Sequence, residues 1–289
     1  MLPGMAGKAR IAMVGAGNLG GALAVELRGA GYAIDTVVLH SGRSQARARA
    51  VGRRVGARVA ASLKGSRADV VWICVPDASV AAAADVLAKQ IEWQGRVALH
   101  SSGALTSDAL SVLRAHGAAV ASVHPMMTFV RGSWASLAGV PFAVEGDAAA
   151  VRAARRIVRD LAGESYTIQK AEKAAYHAWG TFASPLMTAL LAATERVAEA
   201  AGVRGKKARG RMAPILRQTL ENYLAYGAAG AFSGPMIRGD VETVQKHLRA
   251  LREQPPARDV YLALARAALE FLPAKNKVAL RRALRPSGR

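Results

Sequence analysis

The 289-residue sequence is poor in cysteine, aromatic residues, acidic residues and long apolar runs. Its single cysteine, Cys74, excludes an intrachain disulfide and a cysteine-rich zinc cluster, which favours a reducing environment. No uncharged apolar run reaches the ~18 residues of a membrane-spanning helix. The opening residues "MLPGMAGKAR" also lack the apolar core of a signal peptide. These absences lead us to expect a folded cytoplasmic protein that has no membrane partner and no metal site.

Acidic residues are scarce relative to basic ones. The chain has 40 Lys and Arg against 20 Asp and Glu, a net charge of +20. Such an excess attracts polyanions without specificity. The two densest basic stretches, "VRGKKARGR" (203–211) and "RRALRPSGR" (281–289), contain no aromatic residues on which nucleic-acid bases could stack. We therefore interpret the basic residues as a solvated surface and predict no specific nucleic-acid partner.

Short β-branched runs alternate with alanine-rich helical stretches in the first part of the chain. The continuous apolar character of these runs predicts parallel strands with helices on both faces. The predicted strands are "RIAMVGAG", "DTVVLH", "DVVWICVP", "RVALHSSG", "AAVASVHP", "VPFAVEG" and "ESYTIQ". A helix over 147–163 is expected to begin with Asp147 as its cap.

Strand signals stop after Gln169, and helical patterns follow. Residues 170–201 predict a long helix that is kinked near Pro185. Further helices are predicted at 212–229, 240–252 and 256–271. The predicted fold is thus an α/β domain of the nucleotide-binding type with a mostly parallel, doubly wound sheet at 1–169, followed by an all-α domain at 170–289.

A glycine motif directly follows the first predicted strand. The stretch "MVGAGNLGGAL" places Gly15, Gly17 and Gly20 in a Gly-x-Gly-x-x-Gly pattern at the start of a helix. Such glycines permit a tight turn, close approach of a pyrophosphate and close packing of helix on strand. A purely structural glycine turn is the alternative. We predict a dinucleotide site formed by Gly15, Ala16, Gly17, Asn18, Leu19 and Gly20.

The second predicted strand ends without the acid that NAD sites commonly use. That acid binds the ribose hydroxyls about 20 residues after the glycine motif. Here His40 is followed by Ser41, Gly42, Arg43 and Ser44, with no carboxylate. Arg43 is suited to pair with a 2′-phosphate, to which Ser41 and Ser44 can donate hydrogen bonds. The stretch predicts NADP(H) as cofactor, and a solvated loop arginine is the alternative.

Polar residues also follow other predicted strands. Val75 and Pro76 end one strand, Ser101 and Ser102 the next, and His124 a third. The carboxyl ends of parallel strands meet at one edge of a sheet, where ligands bind. We expect the first four residues to line the cofactor and His124 to lie nearby. Ser-Gly turns and His-Pro strand ends also occur for structural reasons alone.

Seven motifs carry a family resemblance over residues 11 to about 262. They are "GAGNLGGAL", "LHSGRS", "CVPDASV", "HSSGAL", "HPMMTF", "KAAYHAWGTFAS" and "SGPMIRGD". With them the chain resembles the superfamily of β-hydroxyacid dehydrogenases and pyrroline-5-carboxylate reductase. Within it, the chain is similar to Rossmann-like NADP oxidoreductases with a C-terminal domain of unknown function. The resemblance implies a helical domain like that of 6-phosphogluconate dehydrogenase, which often forms homodimers.

The resemblance also implies site residues. Lys173 matches the catalytic lysine of β-hydroxyacid dehydrogenases, and His177 stands where their asparagine is expected. Tyr176 lies on nearly the same helical face and is a candidate substrate-binding residue. An ordinary solvated lysine at a helix start is the alternative for Lys173. Arg238 is a candidate for binding a substrate carboxylate or phosphate, and a helix joint capped by Asp240 is the structural alternative.

The predicted function is an NADP(H)-dependent oxidoreductase that transfers hydride to or from a carbonyl or imine of a small, anionic substrate. That substrate is expected to lie between the domains, with His124 and His177 as acid–base groups and Lys173 as electrophile or proton donor. The alternative is a non-catalytic NADP(H)-binding sensor or scaffold. The apolar stretch "WGTFASPLMTALLAA" further predicts a homodimer through the helical domain, unless it forms the core of a monomer.

Replacing Arg43 with alanine should weaken the binding of NADPH by about tenfold or more, because a hydrogen bond to a charged group contributes about 1.5–3 kcal/mol. NADH lacks the 2′-phosphate and should bind the variant almost as well as the wild type. Calorimetric titration with both cofactors measures the difference. An equal loss for both would contradict the assignment.

Overall fold

The computed structural model describes residues 7–39, 45–131 and 136–285. The predicted 2′-phosphate residues Ser41, Arg43 and Ser44 lie outside these described residues. Their role stays a prediction.

The described strands form one eight-stranded sheet in the order β3-β2-β1-β4-β5-β6-β7-β8. Neighbouring strands are parallel except β6 and β7, which are antiparallel. The strands are β1 Arg10–Val14, β2 Ala33–Val38, β3 Arg58–Ala60, β4 Val70–Ile73, β5 Val97–His100, β6 Ala119–Pro125, β7 Pro141–Gly146 and β8 Glu164–Thr167. The predicted mostly parallel sheet is confirmed. The short strand β3 was not predicted, because three residues carry too little pattern.

Helices cover both faces of the sheet, as the apolar strands require. The residues of β4 and β5 are all buried. Apolar side chains of α1, α2 and α5 belong to one core cluster, and those of α3 and α4 to another. These helices are α1 Asn18–Gly29, α2 Gln45–Val55, α3 Val80–Ala88, α4 Ser111–Ala115 and α5 Ala148–Asp160. The sheet is therefore doubly wound.

The predicted position of Asp147 at the start of α5 is confirmed, but its side chain does not bond the helix. Asp147 stands at the N-cap position but makes no side-chain hydrogen bond to the helix. Its carboxylate instead accepts from Arg114 Nε at 3.0 Å and from the Val120 amide at 2.9 Å. A charged guanidinium outcompetes the helix amides because charge-assisted hydrogen bonds are stronger than neutral ones.

The helix predicted over 170–201 is interrupted around Pro185, as expected. Helix α6 spans Lys173–Thr181, a π-helical turn spans Phe182–Leu186, and α7 spans Met187–Ala200. Pro185 lies within the turn because it lacks an N–H group for the helical hydrogen bond. The remaining helices are α8 Lys206–Ala231, α9 Pro235–Arg238, α10 Val241–Ala250, α11 Pro255–Phe271 and α12 Lys277–Ala283. Helix α8 is kinked at Gly227.

The chain divides into two compact units, Met1–Thr181 and Phe182–Arg289. The first unit includes α6, which the predicted boundary near residue 169 assigned to the helical domain. The second unit is helical, with its own apolar cluster. Within it Asp240 accepts a hydrogen bond from the Thr243 amide at 3.0 Å, which confirms the predicted cap of α10. None of the described helices is long and apolar enough to cross a lipid bilayer.

Candidate functional site

Sheet order places a ligand crevice beside the glycine motif. The strand order reverses between β1 and β4, and ligands of open α/β sheets bind beyond the carboxyl ends of strands at such a point. The turn from β1 to α1 and the turn after β4 both lie at this edge. The crevice is therefore formed by the segments that the sequence analysis singled out.

Two of the motif glycines are required by the packing of the protein itself. Gly15 has a φ of +91°, and a Cβ there would lie 2.5 Å from the Cys74 carbonyl oxygen. A Cβ on Gly20 would collide with the Gly15 carbonyl and lie 2.9 Å from Cys74 Cβ. The alternative of a purely structural glycine turn therefore explains these two positions.

Gly17 is different. It is exposed, and no atom lies within 4 Å of the position that its Cβ would take. It occupies the N-cap position of α1, where no side chain caps the helix. An open space in front of free helix amides suits a phosphate group. The turn therefore fits the predicted dinucleotide.

The other predicted residues of the turn differ in their burial and contacts. Ala16 is buried and Leu19 is half-buried. The Asn18 side-chain amide donates to the Phe129 carbonyl at 3.1 Å, which ties the turn to the segment after β6. Asn18 thus supports the turn through the protein.

The loops after β4 and β5 lie along the same edge. Val75 is half-buried and Pro76 is exposed. Ser101 Oγ accepts from Trp72 Nε1 at 2.7 Å, and Ser102 Oγ accepts from the Leu105 amide at 2.9 Å. Both serine hydroxyls are therefore engaged in shaping the loop.

His100 anchors this loop in a defined protonation state. Its Nδ1 accepts from the Ser102 amide at 3.1 Å, and its Nε2 lies 3.0 Å from the Thr106 carbonyl. An acceptor at one nitrogen and a donor at the other define the neutral Nε2–H tautomer. Burial lowers the pKa of His100 to about 4, in agreement with this pattern. The sequence analysis assigned no role to His100.

Lys173 is buried and is not a solvated lysine. It is 1% exposed, and its Nζ donates to the Ser102 carbonyl at 3.0 Å and to Ser122 Oγ at 2.7 Å. Burial lowers the pKa of Lys173 to about 8, against the opposing charges of Glu145 and Asp77. The ammonium group is thus fixed beneath the Ser102 loop.

The sequence analysis missed Glu145, a buried carboxylate on β7. Glu145 is 4% exposed and accepts from the Ser107 amide at 2.5 Å and from the Ser107 hydroxyl at 2.8 Å. Its negative charge raises the pKa of Lys173, so it partly compensates the buried ammonium. The only available signal was an acid inside the apolar strand "VPFAVEG".

His124 and Tyr176 form a close pair. His124 Nδ1 lies 2.6 Å from the Tyr176 hydroxyl. The two rings are arranged edge to face, with their centroids 5.4 Å apart. Burial, followed by the charges of Lys173 and His177, lowers the pKa of His124 to about 4. Tyr176 is 6% exposed, and its burial raises its pKa. The hydroxyl predicted to bind substrate thus contacts another side chain of the protein.

His177 and His124 approach the same point of Gly103. A Cβ on Gly103 would lie 2.8 Å from His177 Cδ2 and 2.9 Å from His124 Nε2. Only a residue without a side chain lets both imidazoles approach this loop. His177 itself is exposed. The importance of Gly103 was missed, because its neighbours are distant in sequence.

The structure therefore brings four predicted residues together around the Ser102–Gly103 loop: Lys173, Tyr176, His177 and His124. Arg238 belongs to the second unit, where it is exposed at the end of α9. Its predicted contact with substrate stays a prediction. Among the described residues, no group of three or more His, Cys, Asp or Glu side chains is suited to hold a metal ion.

Comparison with protein families identifies both parts of the chain. A Rossmann-like domain family matches residues 5–125. The family described as a domain of unknown function, DUF2520, matches residues 140–268. The chain therefore combines a Rossmann-like domain with a DUF2520 domain, in agreement with the resemblance drawn from the motifs. No functionally curated protein matches the sequence.

Several solved structures share the fold over nearly the whole chain. A proposed NADP oxidoreductase from Bacteroides fragilis is 21% identical, with a TM-score of 0.75 over 90% of this chain and 97% of its own. A reductive aminase from Aspergillus terreus, in complex with NADPH and ethyl levulinate, is 20% identical with a TM-score of 0.64. An imine reductase from Myxococcus stipitatus, in complex with NADP+, is 19% identical with a TM-score of 0.64. The two reductases cover 96% of this chain and 100% of their own. At these identities the likeness is one of fold.

Acid should destabilise the protein through His100. Its pKa is about 4 in the folded state and about 6.5 when unfolded, so below pH 6.5 the unfolded chain binds the additional proton. The free energy of unfolding should therefore fall on the order of 2 kcal/mol between pH 7 and pH 5 from this residue alone. Urea unfolding at both pH values measures the difference.

The variant His100→Gln should lose stability at pH 7 but show a weaker pH dependence than the wild type. His116→Gln removes an exposed imidazole and serves as the control, with the wild-type dependence expected. An unchanged slope in His100→Gln would contradict the proposed neutral anchor.

Proposed function

We propose that the protein is an NADP(H)-dependent oxidoreductase that transfers hydride to or from a carbonyl or imine of a small substrate. The observation that carries the proposal is the open space at Gly17, next to the point where the strand order reverses. Lys173, His124 and His177 surround the loop after β5 at the same edge. The three structures that share the fold, described as an NADP oxidoreductase, a reductive aminase and an imine reductase, support the same class of chemistry.

The cofactor would be held by backbone more than by side chains. The Gly15–Gly20 turn would hold the pyrophosphate at the start of α1. Val75, Pro76 and the Ser101–Ser102 segment would line its remaining length, and Arg43 with its neighbouring serines would bind the 2′-phosphate. When bound, NADP(H) supplies or accepts the hydride.

The side chains near the loop would stabilise the reacting group and supply the proton that accompanies hydride transfer. His124 and His177 both approach Gly103, so the two imidazoles lie close together at this loop. A neutral imidazole is able to donate a hydrogen bond to a reacting group or to pass a proton to it. Lys173 would add a positive charge close to the reacting group, and with a pKa of about 8 it is also able to release a proton near neutral pH.

We further propose that the substrate is anionic and that Arg238 contacts its charge. Arg238 is exposed, and the pKa of its neighbour Asp240 is lowered, first by hydrogen bonds from Thr243 and then by the charge of Arg238. Asp240 is engaged in capping α10. The guanidinium is therefore available to a carboxylate or phosphate, which it is able to bind through two parallel hydrogen bonds.

A homodimer through the second unit is the proposed assembly. Helix α8 is 26 residues long, yet Ala208 is its only buried residue. Its exposed apolar side chains include Ile215, Leu220, Leu224 and Tyr226, with Leu224 74% exposed. A helix that carries this much apolar surface requires a covering partner. A second copy of the same chain supplies a matching apolar face.

The wild-type protein should consume NADPH with at least one member of a panel of keto acids, imines and aldehydes. Gly17→Ala places a methyl group where the phosphate is expected but in contact with no protein atom. It should therefore fold normally and bind NADPH about tenfold more weakly, which corresponds to about 1.4 kcal/mol. Absorbance at the nicotinamide band and calorimetric titration give the two measurements.

Gly29→Ala is the matched control, because it lies in the same helix and its Cβ would also meet no atom within 4 Å. It should bind and consume NADPH like the wild type. Tight NADPH binding without consumption of any substrate would favour the sensor or scaffold alternative. Absence of binding would refute the cofactor assignment.

Sedimentation should give a mass near twice the 30.2 kDa of the chain. Replacing Leu220 and Leu224 with glutamate should shift the protein to the monomer, because burial of two charged side chains in an apolar interface is costly. Val278→Glu in α12, at a side chain that is 75% exposed, is the control and should stay dimeric. A monomeric wild type would overturn this proposal.

A further inference from the structure

Two acceptors on His124 face the hydroxyl group of Tyr176, and the Tyr166 hydroxyl is a further neighbour. The ring nitrogen Nδ1 lies at 2.6 Å and the main-chain carbonyl at 3.5 Å. A tyrosine hydroxyl donates one proton, and hydrogen bonds weaken towards the longer distance. The proton of Tyr176 is therefore directed to Nδ1 of His124.

The ring of Tyr176 is fixed independently of this hydrogen bond. It is buried in a small cluster with Ala143 and Ile168, against which Met126 and Tyr166 pack. The Tyr166 hydroxyl is buried nearby, and after burial it is the neighbour that raises the pKa of Tyr176. Packing therefore holds the Tyr176 hydroxyl in front of His124.

An imidazole that accepts at Nδ1 must carry its proton on Nε2 as long as it is neutral. Burial and the positive charges of Lys173 and His177 lower the pKa of His124 to about 4, while Asp77 opposes them weakly and His100 adds to them. His124 is thus neutral near pH 7. The arrangement selects one of the two neutral tautomers.

The protonated nitrogen faces the loop after β5. A Cβ on Gly103 would lie 2.9 Å from Nε2 and 2.8 Å from Cδ2 of the exposed His177, so both imidazoles pack against the glycine itself. The two rings therefore meet at the same point of the loop. A neutral N–H donor in this position suits an oxygen or nitrogen atom on which negative charge develops.

We propose that Tyr176 is a positioning residue that fixes the Nε2–H tautomer of His124, so that His124 serves as a neutral hydrogen-bond donor to a carbonyl oxygen or imine nitrogen. This inference rests on the proposed oxidoreductase function. It makes His124 a stabiliser of charge and not the base. The proton that the product needs on the oxygen or nitrogen comes from solvent by way of the exposed His177.

The chain offers a matched second pair for comparison. In the second unit His247 Nδ1 lies 3.1 Å from the Tyr261 hydroxyl. These rings are also arranged edge to face, with their centroids 5.9 Å apart. Tyr261 belongs to α11, outside the proposed site. A hydroxyl removed there tests for general effects of a Tyr→Phe change.

The tautomer of His124 is measurable in the full-length protein without substrate or cofactor. Protein labelled with 15N at histidine should show, for His124, a protonated Nε2 and an unprotonated Nδ1 at pH 7. The signals are assigned by their loss in His124→Gln. A proton on Nδ1 in the wild type would overturn the proposal, whatever the activity of the protein.

Tyr176→Phe keeps the ring contacts and removes only the donor to Nδ1. Its His124 nitrogen shifts should move towards the average of the two tautomers. In steady-state kinetics kcat should fall on the order of tenfold with KM nearly unchanged, less than the ~10²–10⁴-fold contribution of a complete acid–base group. Tyr261→Phe should alter the His247 signals alone and leave kcat at the wild-type value.

Unchanged His124 shifts in Tyr176→Phe would refute the positioning role. Failure of the proposed function has a different signature, since the wild-type protein would then show the Nε2–H tautomer but consume no NADPH. The spectrum and the turnover assay thus separate the two claims.

Discussion

The arrangement of the site depends on one buried cation. Lys173 brings a positive charge into a region with almost no solvent, where an unpaired ammonium is costly. The Ser102 carbonyl, the Ser122 hydroxyl and the charge of Glu145 reduce this cost. These groups come from the loop after β5 and from β6 and β7, so their common partner fixes the start of α6 against this part of the sheet. The same charge helps to keep His124 neutral.

Around this cation the polar groups fall into two layers. The inner layer consists of His100, Ser102 and Ser122, which hydrogen-bond one another or Lys173, and of Glu145, which bonds Ser107 and acts on Lys173 through its charge. The outer layer consists of His124 and His177, which both approach Gly103. The inner layer ties the loop to β6 and α6, and such support holds the groups that pack on the loop in place.

The sequence was sufficient for features that depend on local pattern. Apolar runs predicted seven of the strands, and the glycine spacing predicted the turn at Gly15–Gly20, since both signals lie within a few residues. Pairings between distant residues could not be predicted from local pattern. The antiparallel direction of β7, the bond of Glu145 to Ser107 and the diversion of Asp147 to Arg114 each depend on which strands become neighbours. The burial of Lys173 had no local signal, because its partners lie 51 and 71 residues away.

The long separation of Lys173 from Ser102 has a consequence for biosynthesis. Ribosomes deliver a chain from its N-terminus at about 5–20 residues per second, and domains begin to fold as they emerge. The segments that carry Ser102 and Ser122 are therefore synthesised several seconds before the lysine that joins them. A nascent chain released within that interval would have most of the sheet and the glycine turn but no ammonium to hold the loop after β5. Completion of α6 thus marks the moment in translation at which the first unit gains its polar centre.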